Sequence, residues 1–452
     1  MILILAILLL ITTVFSYYVF DKDFLSVTTI SSAMFFVFSL MYVAFYPKIG
    51  SDISFSTVVV IVGSILFTFI GEFLGRSTNT GKLSTEIDKK YEISYSNNVM
   101  YIWFAFMLAL AAYRYYDLYR FSLTIGNTNG LLGTLSSVRL AVATGKYVSD
   151  NMNIFIFLAT AVCEVVCYIS IYLFIYEIIE KKSFRKHLLL PIIGYCCILV
   201  SFTGRTEYLK LFVAVLVSYV SIHVTKYGQV ASNKAFKTLI KLAVVMVVLF
   251  FWYGSFTRSG GSSEYVGGIV NNIIAYSAAA IIGLNTCMDK GLGGIVSPYF
   301  GYWTLQSIYD FFGVVHNYAP PMNLTMFHYG ANNEFNSNIY TSLAMATQDF
   351  GIAGLFIIKM ICGVLSAKLV TVFKKLSLDN VGIKTILLLI VSNIIYCYFL
   401  APVSDKFVDL LSISTWFKYT IFAYCVIVFL SPYKIKAIRG EDVESKQTGI
   451  QV

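Results

Sequence analysis

Charge is what this sequence has least of. Asp, Glu, Lys and Arg make up 13% of its 452 residues, where a soluble domain carries roughly a quarter. Beside 58% hydrophobic residues, that scarcity excludes an ordinary soluble enzyme. Nucleotide and metal motifs are missing too. No G-x-x-x-x-G-K-[ST] run offers a phosphate cradle for ATP. No H-E-x-x-H occurs, and His187, His223, His316 and His328 do not gather with carboxylates at metal spacing. The eight cysteines lie in apolar surroundings without a CxxC pair near histidine, which makes them packing residues. Asp21 and Asp23 form the single D-x-D, but in a turn so short that solvation explains them better than a nucleotide-sugar metal. Any energy source has to arrive inside the substrate.

What the chain does contain is long uncharged runs. Met1 to Phe20, Phe24 to Pro47, Ile53 to Gly71, Ile93 to Tyr113 and Thr385 to Ser404 hold no Asp, Glu, Lys or Arg. Asn151 to Ile179, Leu188 to Thr203, Tyr208 to Val224, Thr238 to Gly254, Ser342 to Val370 and Leu411 to Leu430 are edged or interrupted by a few ionisable groups, at most three in any one run. Each approaches the ~20 residues that cross hydrocarbon as a helix, and an ionised side chain at mid-bilayer costs at least ~2.5 kcal/mol. A β-barrel is excluded, because the runs are continuous and exceed the ~10 residues of a barrel strand. The expected fold is an all-α, polytopic integral membrane protein with about 11 transmembrane helices, or about 13 if Ile269 to Met288 enters and leaves as a pair. Residues 1–435 form a single transmembrane domain and 436–452 a short cytoplasmic tail. The first run lacks a basic n-region and a clear cleavage site before Asp21, so it reads as an uncleaved helix.

Lysine and arginine set the orientation, because loops rich in them stay in the cytoplasm. With the N-terminus outside, the segments around Arg76 to Lys90, Lys181 to Lys186 and Lys226 to Lys241 become cytoplasmic, as does the tail with Lys434, Lys436 and Arg439. The formal charge of +9 then reflects topology and not nucleic-acid binding. Two long segments, 114–150 and 255–338, face outward, and loops beyond ~15 residues are usually functional. Ile269 to Ile282 and Tyr299 to Val315 within the second are apolar and aromatic, as re-entrant or interfacial helices would be.

Several arginines fall on this outer side: Arg114, Arg120, Arg139, Arg205 and Arg258. A guanidinium is permanently charged and its planar fork suits phosphate oxygens. Snorkelling at helix ends is the plainer explanation for Arg114 and Arg120. Arg205 stands out, because Thr203-Gly204-Arg205-Thr206-Glu207 is a turn short enough to hold it at headgroup level. A second group follows: Asn336-Ser337-Asn338-Ile339-Tyr340-Thr341, then Asp349-Phe350-Gly351 and Gly354. If one helix ran from Tyr340, Asp349 would lie ~13 Å deeper. It would be either a functional group or an interhelical hydrogen-bond anchor. Gly351 and Gly354 suggest close helix packing.

The Gly204-Arg205-Thr206 turn, the long outer segment before Asn338, and Asn338-x-Tyr340-Thr341 with Asp349-Phe350-Gly351-x-x-Gly354 resemble the bacterial oligosaccharide repeat-unit polymerases, the O-antigen polymerase or Wzy type. Most of the chain fits as architecture, and these two stretches as motif. The chain departs from the paired arginine-to-glycine spacing of some members, since Ile269 stands eleven residues after Arg258. The resemblance implies a multi-pass protein of the bacterial inner membrane, N-terminus outside and C-terminus cytoplasmic. It implies a glycosyltransferase that joins undecaprenyl diphosphate-linked glycans into lipopolysaccharide, capsule or other surface polysaccharide. No metal, nucleotide or other cofactor would take part; membrane lipids and a polysaccharide chain-length regulator would be the remaining partners.

That chemistry needs cations for the departing diphosphate and a base for the acceptor hydroxyl. Arg205 and Arg258 are the expected clamp and Arg139 its helper, while Asn338, Tyr340 and Asp349 help to form the substrate pocket. His316 and Glu207 are the expected catalytic pair; Glu264, His328 and Glu334 are alternatives on the same side, and a structural role is the more frequent one for a lone histidine in an aromatic loop. A flippase or secondary transporter for a lipid-linked or anionic solute is the competing class. It would more often carry mid-membrane charges on broken helices from two related halves. A glycan ligase would share the polymerase chemistry.

Overall fold

The computed structural model describes residues 1–77, 91–126, 130–143, 154–202, 206–227, 241, 278–289, 299–313, 327–330, 335–376, 381–429 and 433–437. Among them, eight helices are long and apolar enough to cross a membrane: Ile2–Val19, Val27–Ala44, Phe55–Ser77, Asn97–Thr124, Phe155–Glu180, Thr206–Val224, Ala344–Lys375 and Gly382–Leu400. Lys186–Val200, Ala278–Asp289 and Ile413–Phe429 are shorter apolar helices. The protein is an all-α membrane protein with two minor antiparallel ribbons, Tyr91–Tyr95 with Tyr433–Ala437 and Phe327–Tyr329 with Phe335–Ser337. The expected Thr238–Gly254 span lies outside the described residues.

Helix ends differ from the charge-free runs where a polar group finds a partner. Residues 91–95 are strand, and the following helix runs past Tyr113 to Thr124. Arg114 and Arg120 are therefore helical. Arg114 is only 7% exposed; its Nη1 donates to Thr160 Oγ1 at 2.9 Å and its guanidinium lies 4.2 Å from the Phe202 ring. The helix after Tyr340 begins only at Ala344. Tyr340 therefore precedes the helix, and Asp349 is little more than a turn inside it.

Small residues set the tightest helix pair. Phe55–Ser77 and Ala344–Lys375 run parallel: Gly63 faces Phe356, Gly71 faces the Met360 carbonyl, and Gly75 faces Val364. A Cβ on Gly75 would come within 2.6 Å of the Val364 oxygen, and one on Gly363 within 2.5 Å of the Thr68 oxygen. In lipid, close backbone approach replaces the hydrophobic force that packs soluble helices.

An ionic cluster ties the same helices at one end. Asp23 accepts Arg76 Nη2 at 2.7 Å and pairs with Lys374, while Arg76 also meets Glu72 at 2.5 Å. The second Glu72 oxygen takes the Ser26 hydroxyl at 3.1 Å and the Thr28 N–H at 2.9 Å, closing the start of Val27–Ala44. Burial would raise the Asp23 carboxyl, but Lys374, Arg76 and the Leu25 N–H outweigh it and hold it at about 2.

This cluster marks one face, shared by the ends of Phe55–Ser77 and Ala344–Lys375. The opposite face carries the starts of those helices, and also the 401–411 segment, because Ser342 N–H donates to the Ala401 carbonyl at 2.8 Å. Two cores fill the body. One joins Ile154–Glu180, Leu189–Val200, Thr206–Tyr227 and Val381–Leu400. The other joins the first three long helices to Ala278–Asp289 and the start of Ala344–Lys375.

Candidate functional site

On the face opposite the Asp23 cluster, three segments each bring a lysine to one cavity of about 250 Å³. Lys210 comes from the first turn of Thr206–Tyr227. Lys406 comes from the segment after Val381–Leu400, and Lys418 from the Ile413–Phe429 helix. Asn393, Tyr396, Asp409, Ser412, Thr415 and Tyr419 complete most of the wall.

Each lysine is placed by an acid. Lys210 Nζ lies 3.2 Å from Glu207 Oε1 and 5.5 Å from the Tyr396 ring centroid. Lys406 Nζ lies 3.5 Å from Asp409. Lys418 pairs with Glu164, whose Oε1 also accepts the Tyr419 hydroxyl at 3.2 Å. Residues 418–422 form a π-helical turn, a wider turn frequent at functional sites, which directs the successive Lys418 and Tyr419 to the same carboxylate. Glu164 and Glu207 do not line the cavity; Asp409 does. Three ammonium groups and one carboxylate therefore line the cavity, each ammonium already paired with an acid, and with the hydroxyls and carboxamide they can hold an anion such as a diphosphate in exchange for those acids.

The segment carrying Lys406 is seated on a buried cation. Lys359, 6% exposed within Ala344–Lys375, places its ammonium 4.2 Å from the centroid of the Phe407 ring. Asp405 accepts the Phe407 N–H at 2.9 Å. Burial pushes the Asp405 carboxyl up to about 6, with Lys359 and that N–H opposing the rise.

The expected site residues divide into three groups. Glu207 stands behind the lysine cavity without lining it, paired with Lys210. Tyr340 lies in the second core, and Asn338 and Asp349 are on the segments beside it. Tyr340 is buried with its ring 5.3 Å from that of Phe327, and burial lifts its phenol to about 12. Asn338 follows the Phe335–Ser337 strand and is half-buried. Asp349 accepts the backbone N–H groups of Thr304 at 2.7 Å and Trp303 at 3.3 Å. These two bonds tie the Ala344–Lys375 helix to the turn that precedes Gln306 in the outer segment. Arg205, Arg258 and His316, with Glu264 and Glu334, lie outside the described residues. Arg139 is on the Gly130–Ala143 helix.

The glycines after Asp349 do not act as expected. Gly351 has φ 66° and ψ −176° inside the helical stretch, a conformation essentially open to glycine alone. A Cβ there would meet nothing within 4 Å, and one on Gly354 would strike Phe350 of the same bend. The pair makes a kink and not a helix–helix contact.

No local spacing marks Lys210, Lys406 and Lys418, because they come from three segments far apart in the chain. One signal was present. Glu164 and Lys418 are isolated opposite charges in two apolar runs, and charges at such depth usually pair.

No protein-family model, curated protein or solved structure matches the chain.

Proposed function

We propose that the protein is a polymerase that transfers a glycan from polyprenyl diphosphate to the end of a second lipid-linked repeat unit. The lysine cavity carries this reading: three ammonium groups converge on one face of a membrane protein, opposite the Asp23 cluster. That face is the outer one, the protein resides in the bacterial inner membrane, and both termini follow the positive-inside assignment, N-terminus outside and C-terminus cytoplasmic.

In the reaction, the acceptor oxygen forms a bond to the anomeric carbon while the bond from that carbon to the diphosphate oxygen breaks. The electron pair leaves with the diphosphate, and the acceptor proton passes to a base. Lys210, Lys406 and Lys418 would stabilise the departing charge where little water screens it, with Arg205, Arg258 and Arg139 closing on the same group. His316 and Glu207 are the proposed bases. Glu207 can serve only by leaving Lys210, whereas Asn338 and Tyr340 shape the pocket and Asp349 anchors its wall. The substrate carries its own leaving group, so no cofactor has a step here.

The test uses purified protein in detergent with polyprenyl diphosphate-linked repeat units, EDTA and no nucleotide. A ladder of longer lipid-linked glycans supports the polymerase; its absence with correctly folded protein overturns it. A transporter is the second reading, favoured by Lys359, a buried charge within a long apolar helix. It requires substrate movement across liposomes without a ladder. Transfer to a different acceptor would identify a ligase.

A further inference from the structure

On the same face as the lysines lies a second, larger cavity of about 440 Å³, built from the loop before Phe55–Ser77, the end of Ala278–Asp289 and the Phe327–Tyr329 strand. Its charges differ from those of the first. Among the described residues no lysine or arginine lines it, while Asp52 and Asp289 both do, with Asn285, Thr286, Ser51 and His328.

Most of these polar groups are held in place by the fold. The Asn285 carbonyl oxygen accepts the Ser54 N–H at 2.7 Å and the Thr57 hydroxyl at 2.8 Å, and its Nδ2 donates to Asp289 Oδ2 at 2.8 Å. Asp52 accepts the N–H groups of Ile2 and Ile53 at 3.0 and 2.9 Å and pairs with the Met1 ammonium at 2.5 Å, so its charge is compensated and Asp289 is the lining carboxylate with no ion pair among the described residues. The Ser51 hydroxyl differs. Its oxygen is enclosed yet has no hydrogen-bond partner among the described residues, a state that native structures normally relieve with a ligand or water.

An ionised carboxylate only accepts hydrogen bonds. Asp289 and the other acceptor oxygens of the wall favour a group rich in donors, no lysine or arginine among the described lining residues offers phosphate a counter-charge, and the Ser51 hydroxyl adds a position that can both give and accept. The polar wall also disfavours an acyl chain. The volume falls within the range of small-molecule sites. Sugar hydroxyls meet these conditions, because each is both donor and acceptor.

We propose that this cavity is a saccharide subsite that binds the uncharged end of the acceptor glycan, away from any diphosphate. The proposal rests on the polymerase reading for the identity of that glycan. The two cavities then divide one substrate class by charge: the lysines take the lipid-proximal diphosphate, and the Asp52–Asp289 cavity takes the polyol.

The test is binding of the repeat-unit oligosaccharide released by mild acid from the producing bacterium's surface polysaccharide, free of lipid and phosphate. Saturation-transfer NMR and calorimetry would be run on the full-length protein in detergent, with inorganic pyrophosphate and calcium as separate probes. The oligosaccharide is expected to bind wild type, and Asp289→Asn and His328→Gln, both at exposed side chains, are expected to weaken it at least about tenfold, a loss of about 1.4 kcal/mol. Lys375→Gln, at the opposite end of Ala344–Lys375 and exposed, should leave oligosaccharide binding unchanged. The proposal is overturned if wild type does not bind the oligosaccharide or if both cavity variants bind it as wild type does. It is also overturned if calcium or pyrophosphate is the probe whose binding Asp289→Asn abolishes. Oligosaccharide binding without a polymerisation ladder would retain the subsite and reject the polymerase.

Discussion

Asp349 receives the Thr304 backbone N–H at 2.7 Å, so the carboxylate that begins a long membrane helix also fixes a turn of the preceding outer segment. The adjoining Ser307 hydroxyl reaches the Val408 carbonyl at 3.1 Å. A line of hydrogen bonds thus runs from Asp349 to the segment that holds Lys406 and Asp409. Asp349→Ala should leave two buried donors unsatisfied and cost about 1–3 kcal/mol. The expected outcome is a lower melting temperature in detergent, and a weaker ladder even when protein levels are matched.

Lys210→Gln, Lys406→Gln and Lys418→Gln should each lower kcat/KM for glycan polymerisation. A charge-assisted contact to diphosphate contributes about 1.5–3 kcal/mol, equivalent to roughly tenfold to hundredfold. Arg205→Ala should act in the same direction. Full polymerisation by the triple lysine variant would remove the cavity from the mechanism.

The spans were legible because bilayer hydrocarbon excludes charge so strongly that runs such as Phe24 to Pro47 announce themselves. Their ends were less so. Arg114 continues a helix where the sequence shows a stop, because Thr160 and Phe202, distant in the chain, receive its guanidinium. The lysine cavity draws on three separate segments, and no local spacing encodes that convergence. Asp349 reads in the sequence as a functional group or an interhelical anchor, and its bonds to the Thr304 and Trp303 amides carry no side-chain signature that the sequence could show.

Asp405 should give stability a pH dependence between about 4 and 6. Its carboxyl is raised to about 6 in the fold, above the ~3.9 of an unfolded aspartate, so the folded state binds the proton more tightly. Stability from this group is complete below the lower value and falls as pH rises through the upper one. Asp405→Asn should flatten that part of a melting-temperature profile. Lys359→Met, which removes the opposing charge, should move the transition to higher pH.

Asp23 should behave in the opposite sense. Its carboxyl is held at about 2, so its contribution is present above ~4 and is lost as pH falls toward 2. Asp23→Asn leaves Arg76 and Lys374 facing each other without their shared acid, at a cost of about 3 kcal/mol. Denaturation of the variant against wild type at neutral pH measures it.

Gly71→Leu should separate Phe55–Ser77 from Ala344–Lys375, because the side chain would occupy the space of the Met360 carbonyl. A penalty of about 3 kcal/mol is expected from such overpacking. Cysteine crosslinking between positions 63 and 356 would report the loss of contact. Unchanged crosslinking and melting would show that the two helices are not in this register.

The ribbon between Tyr91–Tyr95 and Tyr433–Ala437 orders events during synthesis. Its first strand emerges from the ribosome long before its second, and every helix between them must be inserted while that edge stands open. Completion of the fold is consequently timed by translation of the last strand, and a nascent chain arrested before Tyr433 would hold its helices without this clasp.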